Sequence, residues 1–167
     1  DGHLYRIHPA SQSVVQVGTY GTGINIRELA LNESTGVLYG TDYHNLFTIN
    51  PATGWATLVG PMSYSSVWAM DYHAGNDTLY GVDQNSNAFF EIDMDTGATT
   101  YIATQPYSRI TDLYYHAGSG NLYAVTDDAG GGYHFQVDPA TGTFTSLGTF
   151  AHNPTGLGCV GPEPPTP

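Results

Sequence analysis

The 167-residue sequence predicts an all-β fold, a β-propeller of about four blades. Three observations carry that prediction. One segment recurs four times at intervals of roughly 42–45 residues, the repeat length of a four-stranded blade. Each copy reads as short runs rich in Tyr, Phe, Val, Ile and Thr with period-two alternation, as half-buried strands require. Turn residues recur at fixed places between the runs, and no stretch shows helical periodicity over a useful length.

The first line of the repeat is Leu4-Tyr-Arg-Ile-His-Pro-Ala-Ser-Gln12, Leu46-Phe-Thr-Ile-Asn-Pro-Ala-Thr-Gly54, Phe89-Phe-Glu-Ile-Asp-Met-Asp-Thr-Gly97 and His134-Phe-Gln-Val-Asp-Pro-Ala-Thr-Gly142. A second line is Leu38-Tyr-Gly40, Leu79-Tyr-Gly81 and Leu122-Tyr-Ala124. It is preceded by a third, Leu29-Ala-Leu31, Met70-Asp-Tyr72 and Leu113-Tyr-Tyr115. The copy between residues 67 and 103 yields four strands: Val67 to Tyr72, Thr78 to Val82, Phe89 to Asp93 and Thr99 to Ala103.

The turn between strands three and four has a local cause. Asn50, Asp93 and Asp138 can accept backbone N–H groups in an Asx turn. Pro51 and Pro139 have φ already set for the next position, and Gly54, Gly97 and Gly142 take a left-handed conformation at little cost. Gln12 replaces the glycine in the first copy, which predicts a different turn there.

The strand count is uneven. The chain opens on strands three and four of a copy, Leu4 to His8 and Val14 to Val17, and runs through three complete copies. It then reaches one more inner-type strand, Thr155 to Val160. The expected fold is three complete blades and one blade split between the termini, lacking its second strand: either that blade closes with three strands, or the chain is a piece of a larger propeller, or a neighbouring molecule completes it. Residues 1–160 form the propeller domain, and the proline-rich residues 161–167 form a tail, since repeated Pro cannot sit in a central strand.

Composition narrows the partners. The chain has no lysine, three arginines (Arg6, Arg27 and Arg109) and fifteen carboxylates, for a net charge of −12. Such a surface repels phosphate backbones and anionic lipid, which argues against nucleic acid and membrane adsorption. No apolar run is long enough to span a bilayer. With 40% hydrophobic and 11% charged residues the chain reads as globular with a weakly charged surface. It begins at Asp1 without Met, as a processed or trimmed chain would, and the expected location is extracellular, secreted or at the cell surface. The single cysteine, Cys159, allows no intrachain disulfide and aligns with the strand positions of Leu31, Tyr72 and Tyr115, so it reads as a small buried hydrophobe.

The succession Leu-Tyr-Gly-x-Asp, Leu-Phe-x-Ile-Asn-Pro-Ala-Thr-Gly and Ala-Thr-Leu-Val-Gly resembles bacterial extracellular propeller repeats across Leu4 to Val160. Gly161-Pro-Glu-Pro164 is similar to the start of a Pro-Glu-Pro sorting tail. The resemblance implies a propeller fold and export. The Asp-x-x-Thr-Gly element is also similar to quinoprotein propellers, whose indole docking uses a Trp in every blade. Only Trp55 stands near such a position, so no quinone or other cofactor is expected.

The candidate site residues are few. Asp42, Asp83 and Asp127 follow strand two and would ring one face as a ligand or metal site; the simpler reading is a turn carboxylate that caps local N–H groups. Asp93 and Asp95, two apart and followed by Gly97, resemble the opening of a calcium loop but have no later bidentate Glu. His73 and His116 share one repeat position and read as surface turn histidines. Trp55, Trp68 and the tyrosines could stack on sugar rings. Asn32 and Asn76 fit the N-glycosylation pattern, which would make the chain a glycoprotein. No catalytic motif is present. The expected function is therefore a non-enzymatic extracellular structural or interaction protein, self-assembling into oligomers or filaments through the split blade. The alternatives are a glycan-binding propeller and a metal-dependent lyase or lactonase.

Overall fold

Alternating apolar and polar residues give strands with one face for each neighbouring layer. The computed structural model describes residues 2–127 and 131–150, and among these it contains fourteen β-strands and no helix. A hairpin of β1 (His3–His8) and β2 (Ser13–Thr19) comes first. Three four-stranded antiparallel sheets follow. Blade one is β3 (Glu28–Asn32), β4 (Val37–Thr41), β5 (Asn45–Ile49) and β6 (Ala56–Pro61). Blade two is β7 (Val67–His73), β8 (Thr78–Asp83), β9 (Ala88–Ile92) and β10 (Thr99–Thr104). Blade three is β11 (Ile110–His116), β12 (Asn121–Thr126), β13 (Tyr133–Asp138) and β14 (Thr143–Thr149). Each sheet runs in chain order, the first strands β3, β7 and β11 pack side by side, and the fold is a β-propeller. The expected closing strand at Thr155 to Val160, Cys159 and the tail 161–167 lie outside the described residues.

The blades stack through one repeated device. The third-strand pairs Phe47 and Ile49, Phe90 and Ile92, and Phe135 and Val137 all face the preceding layer. Phe47 and Ile49 pack with Leu4, Val17 and Tyr20 of the hairpin. Phe90 and Ile92 pack with Leu46, Val59 and Met62. Phe135 and Val137 pack with Val82, Phe89 and Ile102. Each such aromatic buries about 2–3 kcal/mol of hydrophobic free energy. The fourth strand meets this face with a β-bulge in every copy, at Val17, Val59, Ile102 and Leu147, where the pairing register slips. A bulge sharpens the local twist, and these four presented residues fall at equivalent places on the four layers.

The hairpin turns follow the expected chemistry. Asn50 Oδ1 accepts from Ala52 N (2.9 Å) and Thr53 N (3.2 Å). Asp93 Oδ1 accepts from Asp95 N (3.0 Å) and Thr96 N (2.8 Å), and Asp138 Oδ1 from Ala140 N (2.9 Å). Gly54, Gly97 and Gly142 take φ of 78°, 76° and 66°. The first turn differs only in part. Gln12 also adopts a left-handed φ of 53°, yet its N–H bonds to Pro9 O, three residues back. Gly54, Gly97 and Gly142 instead bond four residues back, to Asn50, Asp93 and Asp138. His8 offers no carboxylate or amide to hold the wider turn.

Candidate functional site

The carboxylates singled out in the sequence are spent on their own loops. Asp42 Oδ1 accepts from His44 N (3.1 Å), Asn45 N (2.9 Å) and Asn45 Nδ2 (3.2 Å). Asp83, 2% exposed, accepts from Ser66 N (2.7 Å) through Oδ1 and from Ser86 N (2.9 Å) and Ser86 Oγ (2.7 Å) through Oδ2. It therefore ties the loop between blades one and two to the β8–β9 turn. Asp127 is not their structural equivalent. Thr126 occupies the position of Asp83, since it pairs with Ile110 as Asp83 pairs with Val67. Asp127 lies one residue further on and forms a surface ion pair with Arg109 at 2.8 Å.

Asp93 and Asp95 open on a groove of about 480 Å³ between blades one and two, together with Asp77 and Glu91. The Thr96 hydroxyl, and then the N–H groups of Thr96 and Asp95, hold the Asp93 carboxyl below the ordinary aspartate range. These are the bonds of a satisfied hairpin. Among the described residues no group of three His, Cys, Asp or Glu side chains is placed to hold a metal ion.

The two histidines separate. His73 is a buried residue rather than a surface one: it is 7% exposed, and its ring lies 4.4 Å from that of Tyr115 and 6.2 Å from that of Tyr80. The reason is the neighbouring blade, which the sequence of one turn does not reveal. His116 stays half-exposed, and its Nδ1 meets Ser119 Oγ at 2.9 Å. Asn32 is buried, and its Oδ1 closes a turn by accepting from Ser34 N (3.0 Å), Ser34 Oγ (2.6 Å) and Thr35 N (3.2 Å). Asn76 is exposed and donates to Tyr80 Oη at 2.7 Å.

Three further arrangements emerge from the structure. The Tyr43 ring lies 5.2 Å from that of Trp68, with the Arg27 guanidinium 5.1 Å above it, and Tyr43 holds a left-handed φ of 87°. Trp68 sits in the bulge of β7, is 40% exposed and donates Nε1–H to Ser66 Oγ (2.9 Å). The first strands also gather acid. Burial, and then Asp112 beside it, pushes the Glu28 carboxyl up to about 8. Burial raises Asp71 to about 6, against the N–H donors of Tyr115 and Tyr72 that favour its ionised form, with Asp112 and Glu33 adding to the rise. The Tyr115 N–H to Asp71 Oδ2 bond, 2.7 Å, joins β11 to β7.

The third arrangement concerns the two ends of the stack. Ile7 is 68% exposed, whereas its counterparts Ile49, Ile92 and Val137 are 3%, 3% and 2% exposed. Tyr5 and Val14 on the same face are also exposed. At the other end Leu147 is 50% exposed, while Val17, Val59 and Ile102 are packed against the next layer. Phe150 is 38% exposed, where Tyr20, Met62 and Gln105 are buried. The glycines repeat the contrast. A Cβ on Gly18 or Gly60 would collide with the carbonyl oxygen of Thr53 or Thr96 in the next turn, but a Cβ on Gly148 would meet nothing within 4 Å.

Among the described residues this combination defines a β-propeller stack with an exposed apolar layer face at each end. The sequence matches no protein-family model and no curated protein. Solved structures do share the fold. A protein of unknown function from Bacteroides thetaiotaomicron is 20% identical with a TM-score of 0.71, covering 92% of this chain and 48% of its own. A chain of a nidogen/laminin complex is 15% identical with a TM-score of 0.69, covering 94% and 60%. The virginiamycin B lyase of Staphylococcus aureus is 16% identical with a TM-score of 0.57, covering 87% and 48%. This chain spans about half the length of these propeller chains.

Proposed function

We propose that the chain is a non-enzymatic extracellular interaction protein whose ring is completed by a second copy of itself. The observation that carries this reading is the complementarity of its two ends. Every internal joint seats the third-strand face and hairpin turn of one layer on the bulge of the layer before it. One end offers an unused face and turn (Tyr5, Ile7, Val14 and Gln12), and the other an unused bulge (Leu147, Gly148 and Phe150). Two copies placed head to tail make both joints at once, and a two-fold ring closes. Two chains together also come close to the length of these solved chains, of which one copy covers 48%. The extracellular location rests on the lysine-free, weakly charged composition and on the likeness to exported repeats.

Light scattering on the eluting intact chain tests this. A dimer is expected, and Ile7→Asp should elute as a folded monomer with an unchanged circular dichroism spectrum. A wild-type monomer at high micromolar concentration overturns the reading, and would mean that other blades occupy the two faces.

A second reading, glycan binding, is favoured by the Arg27–Tyr43–Trp68 group alone. Trp68 offers an exposed indole beside a guanidinium, and a strained Tyr43 supports it. Binding on a glycan array that Trp68→Ala removes would establish it.

A further inference from the structure

A small cavity of about 180 Å³ opens among the first strands of all three blades. It is lined by Leu31, Glu33, Asp71, Tyr114 and Tyr115, with Ala74 and Ala117 exposed beside it; the Tyr72 ring is buried in the core, its hydroxyl donating to Asp77 (2.7 Å). No lining side chain carries positive charge. Asp71 is fixed on one side by the Tyr115 and Tyr72 N–H groups, at 2.7 and 2.8 Å, which set its carboxylate against the cavity wall. Asp112 is close enough to act on Asp71 electrostatically.

We propose that this cavity binds a small alkylammonium group, with Leu31, Tyr114 and Tyr115 taking its methyl surface and Glu33 and Asp71 balancing its charge. The volume suits the group: an apolar cavity of roughly 150 Å³ accommodates benzene, and a trimethylammonium head is of similar bulk. Aromatic rings attract such cations through their quadrupoles, more strongly where water is excluded. Two carboxylates in one small cavity repel each other, and a cation between them removes that repulsion. The net charge of −12 draws cations toward the whole molecule and disfavours anions at the same place. None of its lining residues belongs to the proposed joint.

The experiment is an NMR titration of the intact chain with choline, in parallel with its uncharged isostere 3,3-dimethylbutan-1-ol at constant ionic strength. Saturable shifts are expected at Ala74, Tyr114, Tyr115 and Ala117, with choline at least about tenfold tighter than the alcohol. Glu33→Gln, a change at an exposed position, should weaken choline about tenfold. Ala74→Leu should fill the mouth and abolish the shifts without altering the rest of the spectrum. A further arm with an N-acetyl trimethyllysine ester separates a free solute from a protein side chain as the natural source, according to which binds tighter. Equal binding of choline and the alcohol, shifts that never saturate, or an unchanged affinity in Glu33→Gln would each overturn the proposal.

Discussion

The carbonyl oxygen of Thr53 presses so closely on Gly18 that no Cβ fits between them. Thr96 repeats the relationship on Gly60. These glycines are therefore required by the neighbouring layer rather than by their own turn. The obstacle in each case is backbone, which cannot rotate away. Gly60→Ala is expected to destabilise the chain by about 2–3 kcal/mol, as overpacking does. Gly118→Ala should have a smaller effect, since its nearest neighbour is the half-exposed ring of His116. Urea unfolding of the two variants, compared by midpoint at constant slope, checks the contrast.

Stability should fall as pH rises from about 4 to about 8. Glu28 and Asp71 have folded values of about 8 and about 6, above their ordinary 4.5 and 3.8. Within that window the folded chain binds more protons than the unfolded one, so the slope of stability against pH is negative. Asp93 and Asp138 act the other way: both are lowered by their turns, and what they contribute is lost only below about pH 4. The optimum therefore falls near pH 4 to 5. Scanning calorimetry at pH 5 and pH 8 should show the wild-type midpoint dropping by at least about 5 °C. Glu28→Gln should flatten that drop.

Asp83 and Asp127 looked alike in sequence and should behave differently. Asp83→Ala removes a buried carboxylate and leaves the half-buried Ser66 N–H and the exposed Ser86 without their acceptor, at a cost of about 1–3 kcal/mol. Asp127→Ala breaks one exposed ion pair with Arg109 and should cost under about 1 kcal/mol. Thermal melts of both variants at pH 6 test the pair.

Expression in a glycosylating host should add carbohydrate at Asn76 and leave Asn32 bare. Asn76 is exposed, whereas Asn32 is buried with its Oδ1 committed to Ser34 and Thr35. Mass spectrometry of chymotryptic peptides, which separate Asn32 from Asn76, reads the result directly.

The fold was legible because each copy carries its own complete instructions. Tyr5, Phe47, Phe90 and Phe135 mark the third strand, and the Asx turn of Asp93 or Asp138 can be seen without knowing any neighbour. The site was much less legible, because its features arise between blades. Nothing in the run Asp71-Tyr-His73 says that Tyr115 of the next blade donates to Asp71 or covers His73. Asp127 stands five residues after Leu122 where Asp83 stands four after Leu79, so Thr126 takes the place of Asp83, a shift that counting along the sequence already shows. Arg27, Tyr43 and Trp68 come from three segments and meet only through a bulge and a left-handed residue. The exposed end faces did leave a trace in the sequence, as a split copy one strand short, and the structure gives them named residues.

The central claim is the head-to-tail joint, and a mixing experiment tests it most directly. Ile7→Asp spoils the face at one end of each copy, and Leu147→Asp spoils the bulge at the other. Sedimentation velocity should find each variant monomeric alone. In an equimolar mixture, the intact face of a Leu147→Asp copy meets the intact bulge of an Ile7→Asp copy, and a one-joint dimer should reappear. If the mixture stays monomeric while the wild type is a dimer, the ends do not join head to tail and the account is wrong.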